Sequence, residues 1–110
     1  MNNRYEIARE FAKTINSQYI IKIILFGSVA RHEDTTESDI DILIVSNFPE
    51  MIEEQIDNEV AWIMHDKNEL ISAHIMSEDR FNNTQHFSFL SNILSEGIEI
   101  GWNKSIFWQI

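Results

Sequence analysis

Apolar residues recur at spacings of three and four near the start of the chain, at Tyr5, Ala8, Phe11, Ala12 and Ile15, so an amphipathic helix is predicted over residues 4–18. Residues 19–26 follow as a short, nearly all-apolar run rich in isoleucine, which reads as a buried strand. This strand ends at Gly27-Ser28, where Val29-Ala30-Arg31 can form a helical turn, and residues 32–38 are a connection without an apolar side chain. Residues 39–45 form a second strand, closed by Ser46-Asn47-Phe48-Pro49, with proline well suited to a helix start. The next helix spans residues 50–65, with Ile52, Ile56, Val60 and Ile63 as its inner stripe. A third strand covers residues 70–76, weakened by Ser72 and His74, after which Ser77 can cap a turn carrying Glu78 and Asp79. The last helix is expected over residues 84–96, with Phe87, Leu90, Ile93 and Leu94 on one face and Gly97 ending it, followed by a short strand at 98–100. Strands and helices alternate in one α/β (α+β) arrangement, a single small mixed sheet with helices packed on it.

Length and composition set limits on this arrangement. At 110 residues the chain is the size of one domain, 1–110, able to bury a core but without room for a separate acceptor-binding domain. It contains no cysteine, which excludes disulfides and thiolate metal sites. No apolar run approaches the about 20 residues needed to cross a bilayer, and no apolar stretch follows the basic N-terminus, so a cytoplasmic location is expected.

Eight basic against eighteen acidic residues give a net charge of −10, which argues against direct nucleic-acid binding. The excess is local: residues 1–31 sum to +3, residues 32–66 carry eleven carboxylates and no Lys or Arg, and residues 67–110 sum to −2. Glu50, Glu53, Glu54, Asp57 and Glu59 fit the solvated face of a helix. Asp39 and Asp41 flank an apolar residue at a strand start and need another explanation.

Residues two apart on a strand share a face, so Asp39 and Asp41 would project together. Two such carboxylates repel unless a cation lies between them, and their hard oxygen ligands suit Mg²⁺ or Mn²⁺. Gly27-Ser28, after the preceding strand, can present backbone N–H groups and a hydroxyl to phosphate oxygens. A phosphate cradle beside a metal clamp would hold a nucleoside triphosphate with its metal and support displacement at phosphorus. The P-loop pattern fails for want of a Lys-Ser or Lys-Thr pair after the glycine, and the dinucleotide fingerprint lacks its second and third glycines.

The segments Ile-Leu-Phe-Gly-Ser-Val-Ala-Arg and Ser-Asp-Ile-Asp-Ile-Leu-Ile-Val, separated by a short polar stretch, resemble the DNA polymerase β-like nucleotidyltransferase superfamily. The ten-residue spacer between Gly-Ser and Asp-x-Asp is similar to that of its minimal nucleotidyltransferase (MNT, or MntA-like) group. That resemblance implies ATP as substrate with Mg²⁺ or Mn²⁺, and transfer of AMP to a hydroxyl of a partner protein. Gly27, Ser28 and Arg31 would hold the phosphates, and Asp39 and Asp41 would hold the metal. It further implies a helical HEPN-type toxin as partner, for which this chain would be the antitoxin, either by AMP transfer or by stable binding alone.

The superfamily usually adds a third carboxylate from a later strand, and the matching position here is Ser72, which is no base. Glu69, of opposite parity, could substitute as a catalytic carboxylate if a bulge re-aimed it, and His74, which shares the parity of Ser72, could act as base. Trp62, Phe81, Phe87, Phe89 and Trp102 read as core residues, and His32, His65 and His86 show no ligand spacing. The tail, residues 104–110, holds four large apolar side chains and is expected to dock on the domain or on another subunit, as a homo- or hetero-oligomer contact.

Overall fold

The computed structural model describes residues 3–102. The expected docking role of residues 104–110 and the side chain of Trp102 lie outside the described residues. The first helix, α1 (Arg4–Ile15), starts at Asn3, whose side chain accepts from the Glu6 amide at 3.1 Å. It leads to β1 (Ile20–Phe26), the four-residue turn of helix α2 (Gly27–Ala30), and β2 (Ile40–Ser46). After a 3₁₀ turn at Pro49–Met51 come α3 (Glu53–Lys67), β3 (Ile71–Ser77), α4 (Glu78–Asn83), α5 (Ser88–Glu96) and β4 (Ile98–Trp102). No helix among the described residues is long and apolar enough to cross a membrane.

The strands form one mixed sheet in the order β3-β2-β1-β4. β1 pairs antiparallel with both β2 and β4, whereas β2 and β3 run parallel because α3 carries the chain back between them. Helices line both faces, matching the expected architecture.

Strand parity divides the core in two. Ile23 and Leu25 of β1, Ile40, Ile42 and Ile44 of β2, and Ile71 of β3 pack with Phe11 and Ile15 of α1 and Ile56 and Ile63 of α3. On the opposite face Ile24, Leu43, Val45 and Met76 meet Phe81 of α4 and Leu90 and Ile93 of α5. These two helices are short, so they cover only part of that face. Ser77 caps α4 as expected, accepting from the Arg80 amide at 3.1 Å, but α4 and α5 are separate helices and α5 begins at Ser88 rather than at residue 84.

Three aromatic side chains expected in the core are exposed instead: Trp62 at 59%, Phe87 at 58% and Phe89 at 52%; Leu94 is also exposed. Both short helices have room for only one or two inward residues, so Leu90 and Ile93 fill the available space under α5. Phe81 is buried as expected. Gly97 does end α5, yet with an ordinary negative φ. Glycine is required there by close approach, since a Cβ would stand 2.5 Å from both Ile24 Cγ2 and the Ile93 carbonyl oxygen.

Candidate active site

Several of the residues singled out in the sequence lie on the partly covered face. Asp41 pairs across the sheet with Phe26 on one side and Ser72 on the other, so these three side chains share a face with Leu43 and His74. Ile40 and Ile42, of the other parity, are fully buried against α1 and α3. The same alternation that anchors β2 in the core therefore projects Asp41 onto the open face, and Asp39, just before the strand, is exposed and close enough for its charge to act on Asp41.

Gly27 lies directly against Asp41. Its φ of +75° belongs to the left-handed region, and a Cβ at this position would overlap the Asp41 carboxylate, with Oδ2 nearest. Glycine thus serves both the backbone conformation and the contact. The turn that follows has no side-chain cap, which leaves its first N–H groups available to an anion, and Ser28 adds a hydroxyl. Gly27 and Asp41, from two segments separated by ten residues in the chain, thus meet in the fold.

Asp41 is half-buried and Asp39 exposed; neither forms an ion pair with a cationic side chain among the described residues. Desolvation raises the Asp41 pKa above its ordinary range, and the Asp39 charge adds to that rise, while His74 and Arg31 pull it down. A carboxylate in such surroundings is stabilised by a cation. The donors fit a divalent ion that keeps water and phosphate oxygens in its shell, as Mg²⁺ commonly does with one or two carboxylates.

The other expected residues are placed differently. Arg31 is exposed and paired with Glu33 at 3.1 Å and Glu96 at 3.0 Å, which hold its guanidinium charged, the Glu33 hydrogen bond foremost. It remains near enough to lower the Asp41 pKa. Glu69 does not join Asp39 and Asp41: no group of three His, Asp or Glu side chains suited to a metal forms among the described residues. Register runs unbroken from Ile40 opposite Ile71 to Ser46 opposite Ser77, so no bulge re-aims Glu69. Its Oε2 instead accepts from Arg4 Nε at 2.6 Å, at 7% exposure.

The structure adds surroundings for His74, which the sequence already sets beside Ser72 by parity, and one feature that the sequence does not signal. His74, with Nε2 3.4 Å from Ser72 Oγ, stands in a corner of rings formed by Phe26, 5.6 Å away, and Phe89, 6.1 Å away. That feature is the burial of Arg4, for which the local sequence carries no signal beyond a position at a helix start.

A family model for the nucleotidyltransferase domain matches residues 6–98. A Methanocaldococcus jannaschii protein bearing the name "putative protein adenylyltransferase" is 38% identical over 98 residues, 86% of this chain and 95% of the relative. Two solved structures are similar in fold. One is a toxin–antitoxin complex with AMP-PNP, at 14% identity and a TM-score of 0.57 over 96% of this chain and 77% of that one. The other is a tri-AMPylated Shewanella oneidensis HEPN toxin in complex with an MNT antitoxin, at 12% identity and a TM-score of 0.50 over 97% and 76%. The chain belongs to the nucleotidyltransferase family, and its mixed sheet is the fold of that family.

Proposed function

We propose that this nucleotidyltransferase takes ATP with Mg²⁺ and transfers AMP to a hydroxyl of a partner protein, and that the partner is a HEPN-type toxin for which the chain is the antitoxin. The observation that carries this reading is the contact of the Asp41 carboxylate with Gly27, which supports a shared site for the acidic pair and the turn that follows β1. The acceptor is supported by a relative named "putative protein adenylyltransferase" and by a fold neighbour solved as a tri-AMPylated HEPN toxin in complex with an MNT antitoxin.

In this reading the first N–H groups of α2 and the Ser28 hydroxyl bind and orient the triphosphate. Asp39 and Asp41 hold the divalent ion, which when bound neutralises phosphate charge and polarises the reacting phosphorus. The acceptor oxygen forms a bond to the α-phosphorus as the bond from that atom to the bridging oxygen breaks, pyrophosphate leaves, and the acceptor proton passes to solvent. Ser72, opposite Asp41, offers a hydroxyl for positioning and no base.

The test mixes the chain with Mg²⁺, α-labelled ATP and the product of the adjacent gene, beside Asp39→Asn/Asp41→Asn. Label on the partner with wild type alone is expected. Equal labelling by both proteins would overturn the reading.

Ser72 favours a second reading. With no third carboxylate joining Asp39 and Asp41 among the described residues, the chain would neutralise its partner by stable binding rather than by transfer. Co-purification undiminished in the double Asp variant, together with no label transfer by wild type, is the result this alternative expects.

A further inference from the structure

We infer that Arg4 is a positioning residue for the metal site and acts through Asp39; the inference rests on the assignment of Asp39 and Asp41 made above. Arg4 opens α1, more than thirty residues before the site, yet is only 5% exposed. Its guanidinium donates from Nε to Glu69 Oε2 at 2.6 Å, from Nη1 to Asp34 Oδ2 at 3.1 Å and to the Thr35 carbonyl, and from Nη2 to the Thr36 carbonyl at 3.0 Å. A buried guanidinium carries a large desolvation cost, offset only when its donors are well matched. Here the donors reach three consecutive residues of the loop between α2 and β2 as well as the approach to β3.

Both routes lead to Asp39. The Thr35 carbonyl held by Arg4 also accepts from the Ser38 amide at 3.1 Å, and the Thr35 amide donates to Ser38 Oγ at 2.9 Å, which closes a turn ending one residue before Asp39. On the other side the Ile40 amide donates to the Leu70 carbonyl at 2.9 Å, and Leu70 adjoins Glu69. Backbone on each side of Asp39 is therefore fixed to a single guanidinium. The Asp39 side chain is exposed and has no ion pair among the described residues, so the backbone is what aims it. Lysine preserves the charge but cannot supply donors in a planar fork to four acceptors.

The experiment measures Mn²⁺ binding in the presence of a non-hydrolysable ATP analogue for wild type, Arg4→Lys, Asp39→Ala and the combined variant. Outer residues that orient a metal ligand typically account for about 10–100-fold in affinity. Arg4→Lys is expected to weaken Mn²⁺ binding by about tenfold or more, Asp39→Ala to weaken it at least as much, and the combination to bind no worse than Asp39→Ala. Amide hydrogen exchange over residues 35–40 should quicken in Arg4→Lys. Mn²⁺ binding by Arg4→Lys equal to wild type, or losses that multiply in the combined variant, would overturn the inference. Should Arg4→Lys not fold, Arg4→Met/Glu69→Met removes both members of the buried pair together and takes its place in the same cycle.

Wild-type Mn²⁺ binding by Asp39→Ala would overturn the site assignment and this inference with it. A wild type that binds Mn²⁺ through Asp39 and Arg4 yet labels no protein would support the inference and overturn only the acceptor proposed above.

Discussion

The two faces of the sheet are built from the same strands and differ in what the helices do with them. Under α1 and α3, β2 presents Ile40, Ile42 and Ile44, all fully buried, to a large apolar cluster. On the other face the same strand presents Leu43 and Val45 to α4 and α5, then Asp41 to the part those helices leave uncovered, with Asp39 just before the strand begins. A six-residue and a nine-residue helix cannot cover what twelve- and fifteen-residue helices cover. Stability is thus concentrated on the full face, while the incomplete cover of the other face leaves space for a charged ligand. Strand period lets one heptapeptide serve both ends without a conflict between them.

Substitutions on the two faces should differ in sign as well as size. The largest effect on stability is expected from Ile42→Ala, a loss of about 2–5 kcal/mol, visible as a lower midpoint in chemical denaturation. Near-neutrality there would break the comparison, since it would mean that the full face is not where the fold is held. Next comes Gly27→Ala. The left-handed φ costs about 1–2 kcal/mol for a side chain, and the added methyl meets Asp41, so weaker nucleotide binding should accompany the stability loss. Retained nucleotide affinity would show that Gly27 and Asp41 do not work as one site.

Asp41→Asn should move the other way. The fold raises the Asp41 pKa chiefly through desolvation and so favours the protonated form. The stability this group contributes is present at low pH and is lost as pH rises through the raised pKa. Without divalent ions, Asp41→Asn should therefore melt above wild type at neutral pH, with the gap closing in acid. Added Mg²⁺ should stabilise wild type and not the variant. A variant that melts below wild type at neutral pH would remove the case for a carboxylate lacking its cation. The smallest effect is expected at Phe89→Ala, below about 1 kcal/mol, because that ring is half exposed beside His74. A loss comparable to Ile42→Ala would mean that α5 closes its face more completely than its length indicates.

Local patterns made much of the molecule legible from sequence. A two-residue period sets Asp39 and Asp41 apart from their apolar neighbours, and the family resemblance points to Ser72; the structure places Asp41 opposite Ser72 and buries Ile40 and Ile42 on the other face. Helix boundaries in the second half were less legible. Phe87, Leu90, Ile93 and Leu94 keep a helical period, yet only Leu90 and Ile93 point into the core, because period does not tell how much of a helix has sheet beneath it. The fate of Glu69 was beyond local reasoning as well. Its partner lies 65 residues away, and neither Arg4 nor Glu69 is marked by its neighbours. A long-range ion pair leaves no periodic trace, so Glu69 was expected as a catalytic carboxylate when the fold uses it as an anchor.

The central claim is that the pair of carboxylates on the open face holds the metal and nucleotide beside Gly27. It is tested most directly by calorimetric titration of a non-hydrolysable ATP analogue into wild type and Asp39→Asn/Asp41→Asn, each with and without Mg²⁺. The account predicts Mg²⁺-dependent binding by wild type and a loss of about tenfold or more in a double variant that remains folded. Equal, metal-independent binding by both proteins would contradict it.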